Sequence, residues 1–211
     1  MMNTNLCVRS LALIAALGTT IVLGGCIEAA LLGGAATGVM VGSDRRPAEV
    51  VLGDERVELT ANNRLGQILN EKSHVNVTSF NYTILLTGEV PDAKSKEDAE
   101  KTLTQIERVK GVVNELQIAG TSSMQARGND TFLTGRIKTA FVGPQKFSPL
   151  NVKVVTEAGV VFLLGLVTRK EADDATEIAR GIGGVQKVVR VFEYLPSPPP
   201  PPAPAAPSPI N

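Results

Sequence analysis

The segment VNVTSFNYTILLTGEV at residues 75–90 aligns without gaps to VKVVTEAGVVFLLGLV at residues 152–167. Val75, Val77, Leu86, Gly88 and Val90 meet identical residues at Val152, Val154, Leu163, Gly165 and Val167. Each block alternates β-branched and other residues on both sides of a short turn, Phe80-Asn81-Tyr82 in one copy and Glu157-Ala158-Gly159 in the other. That pattern predicts two hairpins, and so an internal duplication. The second strand of copy two is unusual. Val161, Leu163, Gly165 and Val167 face one way and Phe162, Leu164 and Leu166 the other, so both faces are apolar. Copy one has Leu85, Thr87 and Glu89 at the matching outward positions. The outer face of copy two is too apolar for free water and is expected to pack against copy one or another chain.

A helix is predicted after each hairpin. DAKSKEDAEKTLTQIERV (92–109) places Ala99, Leu103, Ile106 and Val109 on one stripe, and RKEADDATEIARGI (169–182) does the same with Ala172, Ala175, Ile178, Ala179 and Ile182. Both run into Gly-Val, at Gly111-Val112 and Gly184-Val185, where glycine suits a helix end. A closing strand follows at 112–119 and 186–194. A shorter helix precedes each hairpin, near 58–70 and 130–141. Each unit therefore reads helix–strand–strand–helix–strand, two helices on one face of a small mixed sheet, an α+β arrangement. The boundaries are 57–120 and 121–195, with residues 43–56 (SDRRPAEVVLGDER) as linker because of their polarity, Pro47 and Gly53. Residues 196–211 hold nine of the thirteen prolines and cannot build a core. They are expected to form an extended, disordered tail, either a spacer or a PxxP-type ligand.

At the other end, Arg9 precedes a 13-residue apolar run, Leu11–Leu23, which is in the signal-peptide range and too short to span a bilayer alone. Leu23-Gly24-Gly25-Cys26 resembles the lipobox of bacterial lipoproteins. On that reading residues 1–25 are a signal peptide and Cys7 leaves with them. Cys26 becomes a lipidated first residue carrying diacylglycerol and an N-acyl chain, and 26–56 form a tether. Ile27 lacks the Asp that would favour inner-membrane retention, which leaves the route to the outer membrane open. The competing reading is a signal-anchor helix from Leu11 to Val41, with Ala30, Gly34, Gly38 and Gly42 as a small-residue contact stripe.

Composition excludes several functions. Twenty-one basic residues balance twenty-one acidic ones, and Trp is absent, so neither a phosphate-binding charge excess nor a base-stacking platform points to nucleic acid. One histidine and two cysteines leave a His/Cys metal site or a Cys/His nucleophile short of partners, so no catalytic or metal residues and no cofactor are assigned. His74 reads as a surface or turn histidine. Gly181-Ile182-Gly183-Gly184 ends a helix instead of following a strand, and so is no dinucleotide loop.

The two-helix, three-strand unit, its strand-ending glycines Gly88 and Gly165 and its Gly-Val pairs at Gly111 and Gly184 resemble the BON domain. Two such units behind a lipobox resemble the dual-BON-domain outer-membrane lipoproteins, with NDTFLTGRIK (129–138) and residues 151–172 the nearest match. The resemblance covers about residues 22–195, and the proline-rich tail departs from it. It implies no catalysis. It implies a periplasmic, outer-membrane-anchored protein whose second domain binds anionic phospholipid such as phosphatidylglycerol or cardiolipin. Support of the outer-membrane barrier, gathering at the division site and a link to the β-barrel assembly machinery are also implied. The alternative is an envelope-assembly adaptor with incidental lipid affinity. A monomer is expected.

Charge agrees with that assignment. Residues 57–120 carry seven basic and nine acidic residues, and residues 121–195 carry ten and seven, which puts the positive excess in the second copy. Within 121–153, Arg127, Arg136, Lys138, Lys146 and Lys153 face only Asp130, as a basic patch for an anionic surface. Asn129 or Asp130 is expected to cap the 130–141 helix, whose core stripe is Leu133, Ile137, Ala140 and Phe141. Phe132 lies off that stripe beside Arg136, a suitable interfacial anchor, at a position where the family typically has Trp. The candidate phospholipid-binding residues are Phe132, Leu133, Arg136, Ile137 and Lys138, although the same periodicity turns Leu133 and Ile137 inward. The other reading buries Phe132 at the core edge or against copy one.

Overall fold

A computed structural model describes residues 44–143 and 146–196. Cys26, the signal sequence, the tether up to residue 43 and the tail beyond Pro196 lie outside the described residues. Domain 1 runs α1 (Ala48–Ile68), β1 (His74–Phe80), β2 (Thr83–Val90), α2 (Ala93–Thr104), β3 (Gly111–Asn114) and β4 (Gln117–Ile118). Domain 2 runs α3 (Met124–Val142), a 3-10 turn (Pro149–Asn151), β5 (Val152–Glu157), β6 (Val160–Val167), α4 (Arg169–Arg180) and β7 (Lys187–Tyr194). In each sheet the first two strands are antiparallel, and the second pairs in parallel with the closing strand, β3 and β4 or β7. The predicted α+β duplication is therefore present, with the first closing strand broken in two.

The hairpins turn in two residues of left-handed backbone: Asn81 and Tyr82 at φ 51° and 65°, Ala158 and Gly159 at φ 48° and 74°. Such turns match the twist of the strands they join. An aspartate on the preceding helix holds each one. Asp130 of α3 accepts from the backbone N–H of Ala158 and Gly159, both at 2.9 Å. Asp54 of α1 accepts from the N–H of Asn81 and Tyr82 at 2.8 Å and from Ser79 Oγ at 2.7 Å.

These aspartates correct the helix starts. Asp130 is buried inside α3 and caps nothing. The N-cap is Ser123, whose side chain accepts from Ala126 N–H. Likewise α1 opens at Ala48, inside the stretch read as linker. Pro47 stands just before the first helical residue, where a missing N–H costs no hydrogen bond. Gly53 lies against Tyr82, whose hydroxyl would overlap any Cβ there, so this glycine serves close packing and not chain freedom. With α1 extended, Asp54, Val57, Ala61 and Leu65 correspond to Asp130, Leu133, Ile137 and Phe141, all buried.

The structure also re-registers the Gly-Val pairs. Lys110 N–H donates to Tyr82 O and Gln186 N–H to Gly159 O, both at 2.9 Å, so Lys110 corresponds to Gln186. The partner of Gly184 (φ 104°) is then Arg108 (φ 70°), not Gly111. Gly111 has ordinary backbone and open space around its Cα, so the motif role assigned to it fails.

Each core lies between one sheet face and its two helices. In domain 1, Val57, Ala61 and Leu65 of α1 meet Ile84, Leu86 and Val90 of β2, closed by Ala99 and Leu103 of α2. In domain 2, Leu133, Ile137 and Phe141 of α3 meet Val161, Leu163 and Val167 of β6, with Ala172, Ala175 and Ala179 of α4. The opposite sheet faces meet each other. Phe80 and Leu85 of domain 1 pack with Phe162 and Leu164 of domain 2, flanked by Val113, Val155, Val189 and Val191. The apolar outer face of copy two is thus covered by copy one. Thr87 and Glu89, which face outward from the domain 1 core, are buried as well.

Polar ties rim this interface. Asn81 Nδ2 donates to Glu193 Oε2 at 2.7 Å, and Lys153 Nζ reaches Glu58 Oε1 at 3.0 Å. Arg45, just ahead of α1, donates twice to Glu171 at 2.8 Å and once to Leu166 O at 2.9 Å. Glu171 also completes a capping box with Thr168 at the start of α4. The Arg45 guanidinium, helped by the Thr168 donors, pulls the Glu171 carboxyl from 4.5 down to about 2. A carboxylate held below its unfolded value stabilises the fold above that value, and the gain is lost as pH falls. The tie should therefore hold at neutral pH and weaken progressively from about pH 4.5 toward about pH 2. Urea midpoints measured across that range should fall less steeply for Glu171→Gln than for wild type. Parallel curves would exclude the linkage.

Candidate functional site

The outer surface of α3 carries the candidate site. Burial of Leu133, Ile137 and Phe141 fixes the helix rotation and turns Phe132 outward, 68% exposed. At that exposure Phe132 is a surface residue and not one at the core edge. Arg136 follows one turn later. Its guanidinium stands 5.9 Å from the Phe132 ring centroid and donates to Gly183 O at 2.8 Å, which holds the charge beside the ring. Phe132 forms a ridge between two clefts. One, of about 580 Å³, is floored by Ala158, Gly159, Gly183 and Gly184. The other, of about 550 Å³, runs past Gly135, Thr139, Ala140 and Ile182. Both clefts touch Phe132 and Arg136, so one apolar ring and one fixed cation serve both.

The other named residues divide. Lys138 is exposed and unpaired among the described residues. Leu133 and Ile137, at 7% and 0% exposure, are core residues and present nothing to a ligand, which corrects their place in the candidate set. The five cations of segment 121–153 form no single patch. Lys153 is tied to Glu58 of domain 1, Lys146 pairs with Asp174 at 3.3 Å, and Arg127 donates to Ser122. Arg136 and Lys138 remain. Met124, 80% exposed, adds an apolar side chain two turns before Phe132. It went unrecognised because the helix was expected to begin after it. The signal was Ser123, a good cap one residue ahead of a helix-forming run.

His74 also departs from expectation. It opens β1, and its Nδ1 lies 3.2 Å from Glu89 Oε2 on β2, with Glu157 of β5 in the same cluster. The histidine therefore has two carboxylate neighbours, one from each domain.

No helix among the described residues is long and apolar enough to cross a membrane. The BON domain family model matches residues 58–120 and 129–196, the two structural repeats. The chain is 37% identical over 181 residues to the outer membrane lipoprotein DolP of Haemophilus influenzae, covering 85% of this chain and 93% of that one. It is 32% identical over 127 residues to a 21 kDa hemolysin of Actinobacillus pleuropneumoniae, covering 60% and 66%. It is 29% identical over 121 residues to the osmotically-inducible protein Y of Escherichia coli, covering 56% and 60%. BON-domain lipoproteins are not a known enzyme family. With both repeats matched and an envelope lipoprotein aligned over nearly its whole length, the chain belongs to the dual-BON-domain outer-membrane lipoproteins.

Proposed function

We propose that this chain is a periplasmic lipoprotein, anchored by acylated Cys26 in the outer membrane, whose second BON domain binds anionic phospholipid through Phe132, Arg136 and Lys138. The observation that carries the reading is the exposed Phe132 ring with Arg136 fixed beside it. An aromatic ring at the acyl–headgroup boundary gains from burial, on the order of 1.5–3 kcal/mol for a full side chain. Each nearby cation adds about 1 kcal/mol against an anionic leaflet. Phosphatidylglycerol and cardiolipin supply the required negative headgroups. Bound this way, the anchored protein gathers where such lipids are dense, which accords with support of the outer-membrane barrier at the division site. The adaptor reading loses its main sequence support, because the apolar face of β6 is occupied by domain 1.

Flotation of residues 43–211, which lack the acyl anchor, with phosphatidylglycerol vesicles tests the proposal. Phe132→Glu should lower vesicle affinity at least about tenfold while leaving the circular dichroism spectrum and melting temperature intact. Raising salt should weaken wild-type binding through Arg136 and Lys138. Unchanged binding by Phe132→Glu would remove this site from consideration.

A further inference from the structure

The contact between the domains encloses a group of side chains with the chemistry of a metal site. His74 of β1 and Glu89 of β2 are cross-strand partners on the face of domain 1 that meets domain 2. Glu157, at the end of β5, comes from the other domain. One ligand atom from each lies within 4.8 Å of the others. Glu89 and Glu157 are 5% and 6% exposed, and the His74 side chain 19%. Two carboxylates withdrawn from water at this separation repel unless positive charge joins them. Among the described residues no lysine or arginine pairs with either of them. Arg127, which lines the adjoining cleft, spends its guanidinium on Ser122 O and Oγ.

The surroundings orient the ligands. Asn76 Nδ2 donates to Glu157 Oε2 at 2.8 Å, and Ser122 N–H to Glu89 Oε2 at 3.1 Å, as outer partners do around bound metals. Thr87, 1% exposed and on the same face of β2 as Glu89, keeps a buried Oγ1 with no hydrogen-bond partner. A cleft of about 360 Å³, lined by His74, Asn76, Thr134 and Glu157, gives access from solvent.

We propose that His74, Glu89 and Glu157 bind one divalent cation of the zinc type, which ties the two BON domains together. One imidazole nitrogen and two carboxylates, with water in a fourth position, suit Zn²⁺. Bonds of about 2 Å place tetrahedral ligands about 3.3 Å apart. His74 Nδ1 and Glu89 Oε2, 3.2 Å apart in a side-chain hydrogen bond that the ion would replace, already have that spacing, and rotation of the Glu157 side chain supplies the remaining contraction. Because two ligands come from domain 1 and one from domain 2, the ion stabilises the docked pair and not either domain alone.

The test uses the full lipidated chain in detergent, without a histidine tag and stripped with EDTA. Zn²⁺ should bind one per chain and raise the melting temperature by about 5–10 °C at roughly a hundredfold excess over Kd. Co²⁺ should give a visible absorption band of low-coordinate geometry. Glu157→Gln and Glu89→Gln, close in shape to the native residues, should each lose at least about tenfold in affinity, and His74→Asn should abolish the Co²⁺ band. Should His74→Asn fail to fold, the two glutamine variants decide. No thermal shift in wild type, or an equal shift in Glu157→Gln, overturns the proposal.

Discussion

Gly88→Ala should destabilise the protein by more than about 3 kcal/mol, a large fraction of the stability of a typical small domain. Gly88 lies inside β2, two residues before its end, opposite Val75 with φ 110°, a backbone region that L side chains rarely adopt. A Cβ at this position would also overlap the carbonyl oxygen of His74, which belongs to the neighbouring strand and cannot move without breaking the β1–β2 ladder. The two costs add, since relieving the backbone strain does not remove the overlap. Gly165 repeats the close approach, against Asn151 O opposite Val152, but not the positive φ. Gly111→Ala is the control. Nothing lies within 4 Å of where its Cβ would stand, and its unfolding free energy in urea should change by less than about 0.5 kcal/mol. Equal midpoints for Gly88→Ala and Gly111→Ala would show that the close approach of β1 is not what requires glycine.

That contrast marks how far the sequence could be read. Gly88 and Gly165 stood out because each sits in an aligned, alternating strand, where periodicity fixes the register. Gly111 was matched to Gly184 by a shared Gly-Val dipeptide in a connection where no periodicity operates. The structural equivalent is Arg108, a residue type that gives no hint of left-handed backbone. The start of α1 was hidden for a related reason. Pro47 and Gly53 signal a linker when read locally, and only the Asp54 contact to the β1–β2 turn shows that the helix must already be running. At the candidate site the helical period alone placed Phe132 outward and Leu133 and Ile137 inward. It could not show that Lys146 and Lys153 are taken up by Asp174 and Glu58, because those partners are distant in sequence. The His74 cluster was illegible for the same reason, since it assembles only when two domains meet.

Phe162→Ala should cost about 3–5 kcal/mol, the range for removing a buried phenyl ring from a packed interior. Phe162 is 3% exposed and packs among Phe80, Leu85 and Leu164, so the loss falls on the docked pair more than on the core of domain 2. Each domain is only about 70 residues, a size at which a single core is marginal. The wild type should accordingly unfold in one transition, each domain leaning on the other. With Phe162→Asp, which places a charge where no partner waits, the transition should separate into two or shift to much lower urea. A single transition at the wild-type midpoint would mean that the face-to-face contact contributes little. The experiment also bears on partners. A foreign protein using the β6 face would first have to separate the domains, at a cost comparable to the Phe162 deficit, whereas Phe132 stands on α3, beyond the opposite face of the same sheet. Docking therefore closes the surface an adaptor would need and leaves the proposed lipid surface open. Phe162→Ala that is still folded should bind phosphatidylglycerol vesicles as wild type does.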